Sequence, residues 1–324
     1  MTLSAKNLGA AALPVVDVSG LISGDATAQR AVARAIKEAC LDKGFMYIVG
    51  HGIAPELRSE VFKQSAAFFD LPEAHKLAVD MKLSSCNRGY EAMRAQTLEA
   101  GAPPDLKESF YSGRHLEPDH PAVLAGKFNH GPNQWPAGMS QFQDVMDRYY
   151  LELETFGAVL MRGVALSLDL AADYFDGFCT DPQCGLRLIH YPPQPAHAAP
   201  NEKGCGAHTD WGGLTILAQD EVGGLQVWDD TVGWVHAPPM QDAYIVNLGD
   251  MIARWTNERY RSTLHRVVNA TGKERYSVPF FYSGNPDYEV ACISSCLGPG
   301  ETPKFPPTTV SGHMREMYAK TYAS

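Results

Sequence analysis

The sequence predicts a mainly β protein with flanking helices, and three observations carry that prediction. From Leu186 onward apolar and polar residues alternate with a period of two in short runs; Gly, Pro, Asn and Asp separate those runs; and the segments outside them carry helical spacing instead. Evenly spaced short strands fit a sandwich or a barrel. At 324 residues the chain is long enough for two average domains, although β architectures of this size commonly form one unit around one core.

Taken in order, Leu13-Pro14-Val15-Val16-Asp17-Val18 reads as a strand, and Ala28 to Asp42 as a helix with Val32, Ile36, Ala39 and Cys40 on one face. Gly44 to Gly50 follows as a strand bounded by glycines, then a helix from Glu56 to Phe69 that stops near Leu71-Pro72. Residues 84 to 135 are rich in Pro, Gly and Asn and read as long loops, within which Glu108-Ser109-Phe110-Tyr111 has strand character. Gln141 to Ser167 repeats Phe142, Val145, Met146, Tyr149, Leu153, Phe156 and Leu160 every three or four residues, the pattern of a major scaffold helix. The period-two runs are Leu186 to Tyr191, Leu214 to Gln219, Leu225 to Trp228, Ala243 to Leu248 and Tyr276 to Ser283. Thr309 to Tyr322 returns to helical spacing and is placed across one end of the β region, as a candidate lid.

Hydrophobic residues at 45% and charged residues at 20% permit a packed core and argue against disorder. A net charge of −10 without any basic run argues against a nucleic-acid surface. The apolar stretch Leu8 to Val16 is broken at Asp17, too short to span a bilayer and without a basic leader, so neither export nor membrane insertion is expected. Seven cysteines at 40, 86, 179, 184, 205, 292 and 296 form no Cys-x-x-Cys pair and read as free thiols in a cytoplasmic protein, with Cys205 a small core filler.

The chemistry begins at His208-Thr209-Asp210, where a strand enters a turn and two potential ligands sit two residues apart. With 11 His and 37 acidic residues, about one His-x-acid match arises by chance, so this pair alone is weak. His265, in the strand-like segment Thr263 to Val267, adds the third member. Two His and one carboxylate occupy one face of an octahedron and leave three positions for a co-substrate and dioxygen, the arrangement of non-haem Fe(II) oxygenases. A structural zinc site would be closed by a fourth ligand, commonly a thiolate, and no thiolate pair stands nearby. Arg275-Tyr276-Ser277 then places a guanidinium and a hydroxyl two apart, a fork suited to a carboxylate, although the default for a lone strand Arg is a surface ion pair.

These residues resemble the isopenicillin N synthase-like branch of the Fe(II)/2-oxoglutarate-dependent oxygenases. The likeness runs from Leu13-Pro14-Val15-Val16-Asp17 and Gly44 to Ile53 through Arg187 to Pro193, Ala207 to Asp210, Gly224 to Val227, Val246 to Asp250, His265-Arg266-Val267 and Arg275 to Phe281. It implies a distorted double-stranded β-helix (jelly roll) with an N-terminal α/β region packed outside. The corresponding segments are 1–125 as leader region, 126–178 as scaffold helix region, 179–290 as jelly-roll core and 291–324 as C-terminal extension, in one compact unit. Under it His208, Asp210 and His265 ligate Fe(II), while Arg275 and Ser277, with Tyr191, hold 2-oxoglutarate, which is decarboxylated with O2 to succinate and CO2 as a small organic substrate is oxidised, most often by hydroxylation.

Many plant members carry Asn where this chain has His190, so His190 is expected to face core or solvent rather than iron. His51 is expected in a structural turn, and Asn247, Gly249 and Asp250 in a tight turn. Arg88 resembles a substrate-carboxylate arginine of the oxidase type, with a loop anchor as its alternative; Arg88, Tyr90, Phe110 and Phe281, together with Tyr111, are the candidate substrate-pocket residues. Rival readings are a 2-oxoglutarate-independent oxidase of isopenicillin N synthase type, an ethylene-forming 2-oxoglutarate oxygenase, and a non-enzymatic zinc-stabilised jelly-roll binding protein. A monomer acting on a small molecule is the default for assembly.

Overall fold

A computed structural model describes residues 3–7, 13–195 and 201–322 of the chain, without the Tyr322 side chain. The first residues of the apolar stretch that begins at Leu8, and the Tyr322 side chain at the end of the last helical stripe, lie outside what is described. The strands of the two main sheets are β1 (Val15–Asp17), β2 (Phe45–Val49), β3 (Gly89–Glu91), β4 (Glu108–Gly113), β5 (Cys184–Tyr191), β6 (Cys205–His208), β7 (Leu214–Gln219), β8 (Leu225–Asp229), β9 (Gly233–His236), β10 (Tyr244–Leu248), β11 (His265–Val267) and β12 (Arg275–Tyr282), with Glu289–Val290 and Thr308–Thr309 pairing as a separate small ribbon. They form an eight-stranded sheet in the order β1-β2-β10-β7-β12-β5-β4-β3 and a four-stranded sheet in the order β6-β11-β8-β9. No helix among the described residues is long and apolar enough to cross a membrane.

The two sheets face each other. Ile189, Tyr191, Leu217 and Ile245 of the larger sheet share one buried cluster with Cys205, Leu225, Val227 and Val267 of the smaller. This is the double-stranded β-helix in the form of two facing sheets; of the two architectures left open by strand spacing, sandwich and barrel, the sandwich-like one is found. The other face of the larger sheet carries the helices. The Ser140–Ser167 helix buries Phe142, Met146, Tyr149, Leu153, Phe156 and Leu160 against that face and its neighbouring helices, each large side chain contributing roughly 1.5–3 kcal/mol on burial. Gly157 is required where this helix meets the sheet, because a Cβ there would lie 2.3 Å from the ring of Tyr282. The Ala26–Asp42 helix starts on Asp25, whose carboxylate accepts from the amides of Thr27 and Ala28.

The N-terminal helices pack outside the core as expected, but the strands of that region do not stay outside. β1 and β2 extend one edge of the larger sheet and β3 and β4 the other. Residues 84–135 therefore contain, besides the strand expected at 108–111, a second one at Gly89–Glu91 that read as loop. Strand β3 is three residues long, with all three buried, which leaves no alternation in the sequence to reveal it.

A parity rule organises this side of the larger sheet. In β5, β12 and β4 the odd-numbered residues Arg187, Ile189, Tyr191, Arg275, Ser277, Phe281, Ser109 and Tyr111 share the inner face, while Leu188, His190, Tyr276, Phe280, Glu108 and Phe110 share the helix face.

Candidate metal centre

His208 ends β6 and His265 begins β11, and the two stand directly opposite each other in the ladder. Their rings lie 4.2 Å apart between centroids. Asp210 sits in the turn just after β6 and turns back so that its Oδ1 is 3.8 Å from the Nε2 of each histidine. One ligand atom from each of the three lies within 4.8 Å of the others, and this is the one such group found among the described residues.

The hydrogen bonds behind these atoms prepare them for a cation. His208 Nδ1 donates to the Gly206 carbonyl at 2.8 Å and His265 Nδ1 to the Thr263 carbonyl at 3.2 Å. A carbonyl can only accept, so each proton sits on Nδ1 and each Nε2 lone pair faces the centre. Asp210 Oδ2 accepts from Thr215 Oγ1 at 2.6 Å and Asn247 Nδ2 at 2.7 Å, which leaves Oδ1 directed at the imidazoles. Burial pushes both imidazoles below their ordinary pKa. Burial also works against the Asp210 charge, yet the two imidazoles and the bonds from Asn247 and Thr215 hold its carboxyl below the usual range. Three deprotonated donors at neutral pH are what metal binding needs.

Asn247 is a correction to the sequence reading, which placed it in a tight turn. It belongs to β10, is 3% exposed, and acts on the Asp210 carboxylate. Asp250 sits outside the triad and accepts from Thr209 Oγ1 and Ser262 Oγ. His51 lies in the irregular link between β2 and the Pro55–Phe69 helix, accepting from the Ile53 amide through Nδ1 and donating to the Asp242 carbonyl. His190 lies on the helix face, away from the triad.

Between the sheets stands a second feature. Arg275 is fully buried; its Nη2 donates to Gln219 Oε1 at 3.0 Å, and its Nε and Nη1 have no partner. The guanidinium lies 4.7 Å over the Tyr191 ring, and Ser277 shares its face two residues on. The surface ion pair that is the default for a lone strand arginine is not what Arg275 makes. A buried guanidinium with two donors left over fits a carboxylate guest, because leaving such donors unsatisfied is costly.

A cavity of about 130 Å³ opens beside His208 and Asp210. Phe281, Tyr111, Trp211 and Tyr318 give it aromatic walls, and Arg88 and the Arg187–Glu91 pair add polar ones. Arg88 is 3% exposed and lies flat against Gly113, where a Cβ would come within 2.2 Å of its guanidinium. Its Nη2 donates to the Asn129 carbonyl and its Nε has no partner.

Two expected pocket residues are elsewhere. Tyr90 is in the core, donating to Glu108 Oε2 at 2.6 Å, and Phe110 packs among Phe68, Phe142 and Trp135. In β4 it is Tyr111, one residue on, that faces the cavity. Met314 and Tyr318 of the Val310–Tyr322 helix reach the cavity as well, which places that helix at its mouth.

Two imidazoles and one carboxylate with room left around the centre define a class, the mononuclear non-haem iron oxygenases. Comparison with known proteins agrees. Residues 13–138 match the family described as non-haem dioxygenase in morphine synthesis N-terminal, and residues 182–284 match the 2OG-Fe(II) oxygenase superfamily. A 2-oxoglutarate-Fe(II) type oxidoreductase, hxnY, of Emericella nidulans is 42% identical over 314 residues, covering 95% of this chain and 90% of that protein. Clavatol oxidase of Penicillium crustosum is 37% identical, covering 96% of this chain and 97% of that protein. The crystal structure of a full-length Neurospora crassa protein in complex with alpha-KG and thymine superposes with a TM-score of 0.83 at 31% identity, covering 95% of this chain and 97% of that one.

The chain belongs to the 2OG-Fe(II) oxygenase superfamily. It is a Fe(II)- and 2-oxoglutarate-dependent dioxygenase that uses O2. The oxidase without 2-oxoglutarate and the zinc-stabilised binding protein are thereby set aside.

Proposed function

We propose that this dioxygenase hydroxylates a compact aromatic or heteroaromatic molecule that carries an anionic or strongly polar substituent. The observation that carries the reading is the cavity itself: the imidazole of His208 and the carboxylate of Asp210 form part of its wall, and the aromatic side chains of Tyr111, Trp211, Phe281 and Tyr318 stand there together with Arg88 and other polar groups. Its volume of about 130 Å³ suits a molecule of one or two rings. The Neurospora crassa protein, by its complex with thymine, binds a ring compound, which supports the same substrate class here.

In this reading His208, Asp210 and His265 hold the iron, which supplies O2 activation coupled to decarboxylation of 2-oxoglutarate to succinate and CO2. Arg275 and Ser277, over Tyr191, bind the distal carboxylate of 2-oxoglutarate. Phe281 and Tyr111, nearly parallel at an interplanar angle of 10°, form an apolar ring contact on the substrate side. Arg88 meets the substrate's polar group, since a buried guanidinium without a carboxylate partner is stabilised by an incoming anion. Tyr318 and Met314 cover the opening and help to exclude water. The enzyme works as a monomer in the cytoplasm; its seven free cysteines suit a reducing compartment.

The test is a panel of aromatic and heteroaromatic acids, bases and neutral rings, scored by succinate release and by the mass of the product. At least one ring compound should raise succinate above the substrate-free rate and appear heavier by one oxygen atom. Long-chain aliphatic acids run alongside are the comparison: if they alone raise succinate release and gain an oxygen while no ring compound does, the reading is overturned.

A further inference from the structure

His208 stands on the least supported strand of the site. β6 is an edge strand, paired only with β11, and their register slips between His265 and Val267. Such a slip places an extra residue in one strand and disrupts the ladder locally. An edge with unpaired N–H groups is prone to fray or to pair wrongly.

Here the edge is closed by side chains instead of a strand. The Gly206 amide donates to Asp105 Oδ1 at 2.8 Å, and the next amide, Ala207, donates to Glu99 Oε2 at 2.9 Å. Each carboxylate is held in turn by a lysine: Lys107 Nζ lies 2.8 Å from Asp105 Oδ2, and Lys203 Nζ lies 3.0 Å from Glu99 Oε2. Lys107 also reaches Cys205 Sγ at 3.2 Å, and that sulfur is 3.8 Å from His208 Nδ1. The seating is tight. A Cβ on Gly206 would lie 2.7 Å from Glu99 Cβ and 2.9 Å from the Glu99 amide nitrogen, so glycine is what lets the segment lie on the strand.

A buried Lys–Asp pair is weak evidence for stability, because desolvation offsets most of its attraction. Its retention calls for another reason, and the geometry points to one. We propose that Asp105 and Glu99 are positioning residues that stand in for a missing neighbour strand along β6 and so fix the His208 imidazole for the metal. The inference rests on the reading of His208 as a ligand. The same segment sends Gln96 and Leu98 into the cavity wall, so one stretch of chain touches both the substrate side and the metal strand. Burial works against the Lys107 charge, but Cys205 and Asp105 outweigh it and hold the ammonium protonated. Glu99 is held below the ordinary carboxyl range, its burial being outweighed by the Ala207 amide and Lys203.

The experiment is an anaerobic titration of the metal-free full chain with Co(II), read by the visible absorption of the bound ion, alongside circular dichroism and a melting curve. Asp105→Ala and Glu99→Ala should each weaken Co(II) binding by roughly 10–100-fold and shift the absorption. Asp105→Asn keeps an oxygen acceptor for the Gly206 amide and should recover most of the affinity. Should Asp105→Ala fail to fold, Glu99→Ala decides, since that side chain is 31% exposed. Variants that melt earlier yet bind Co(II) with the unchanged affinity and spectrum overturn the proposal, because they show a purely structural role. His208→Ala is the separate control: if it too binds Co(II) normally, the metal assignment fails, and with it the ground on which the clamp was argued.

Discussion

Among the described residues two buried clusters combine histidine with carboxylate, one on the helix side of the larger sheet and one between the two sheets, and only the second is built to hold a metal. In the cluster on the helix face, His190 Nδ1 donates to Glu108 Oε1 at 2.8 Å, while Glu108 Oε2 accepts from Lys76 at 2.8 Å and Tyr90 at 2.6 Å. Both oxygens of Glu108 are therefore engaged, and a lysine ammonium already supplies the cation. In the cluster between the sheets, Asp210 gives only Oδ2 to Thr215 and Asn247. Its Oδ1 faces two Nε2 atoms at a distance too long for hydrogen bonding, and no lysine among the described residues is bonded to it. What separates a metal centre from a structural ion cluster is thus the oxygen left over and the convergence of lone pairs, rather than the residue types.

The contrast can be broken at either end. Asp210→Ala should abolish metal binding and bring turnover below detection in an assay of succinate release, since it removes one of three ligands; full activity in that variant would sink the assignment. Glu108→Ala should leave Co(II) affinity untouched and cost about 3–5 kcal/mol in urea unfolding, the scale for removing one partner of a buried ion pair. The pH dependence sharpens the second case. Burial opposes the Glu108 charge, but the bonds from His190, Lys76 and Tyr90 outweigh it and hold the carboxyl below its ordinary value. Its contribution is then complete above the unfolded pKa of about 4.3 and is lost as pH falls through the lower folded value. The stability gap between wild type and Glu108→Ala should accordingly close in acid; a gap that stays constant from neutral pH down to acid unfolding contradicts this account of the cluster.

The triad was readable only as a set: the His208-x-Asp210 pair is no rarer than chance, and His265 in a separate strand-like segment is what completes a three-ligand pattern. Arg275 and Ser277, two apart in sequence, could be placed on one face of a strand, and they do share the inner face of β12; their part in binding a carboxylate came from the family likeness. The substrate wall was harder. Phe110 and Tyr111 are both aromatic and adjacent, and only the parity of β4, fixed by its pairing with β5, decides which one faces the cavity. Tyr90 falls on the helix face, where its hydroxyl meets Glu108.

Asn247, Glu99 and Asp105 could not have been found from spacing at all. Asn247 reaches Asp210 because β10 lies beside β7 in the larger sheet. Glu99 and Asp105 reach β6 across a long stretch of chain, by side chain to backbone bonds that leave no periodic trace. Gly206 is the one local signal, and its meaning depends on what lies against it.

The account stands most directly on an anaerobic optical titration of the Fe(II)-loaded protein with 2-oxoglutarate, repeated with Arg275→Ala at equal ligand concentration. It predicts the weak visible band of a 2-oxo acid chelating Fe(II) in the wild type, and a loss of binding on the order of 10²-fold in the variant, as expected for removing a buried charge partner. A folded, iron-loaded wild type that shows no band, or a variant that titrates identically, would contradict it.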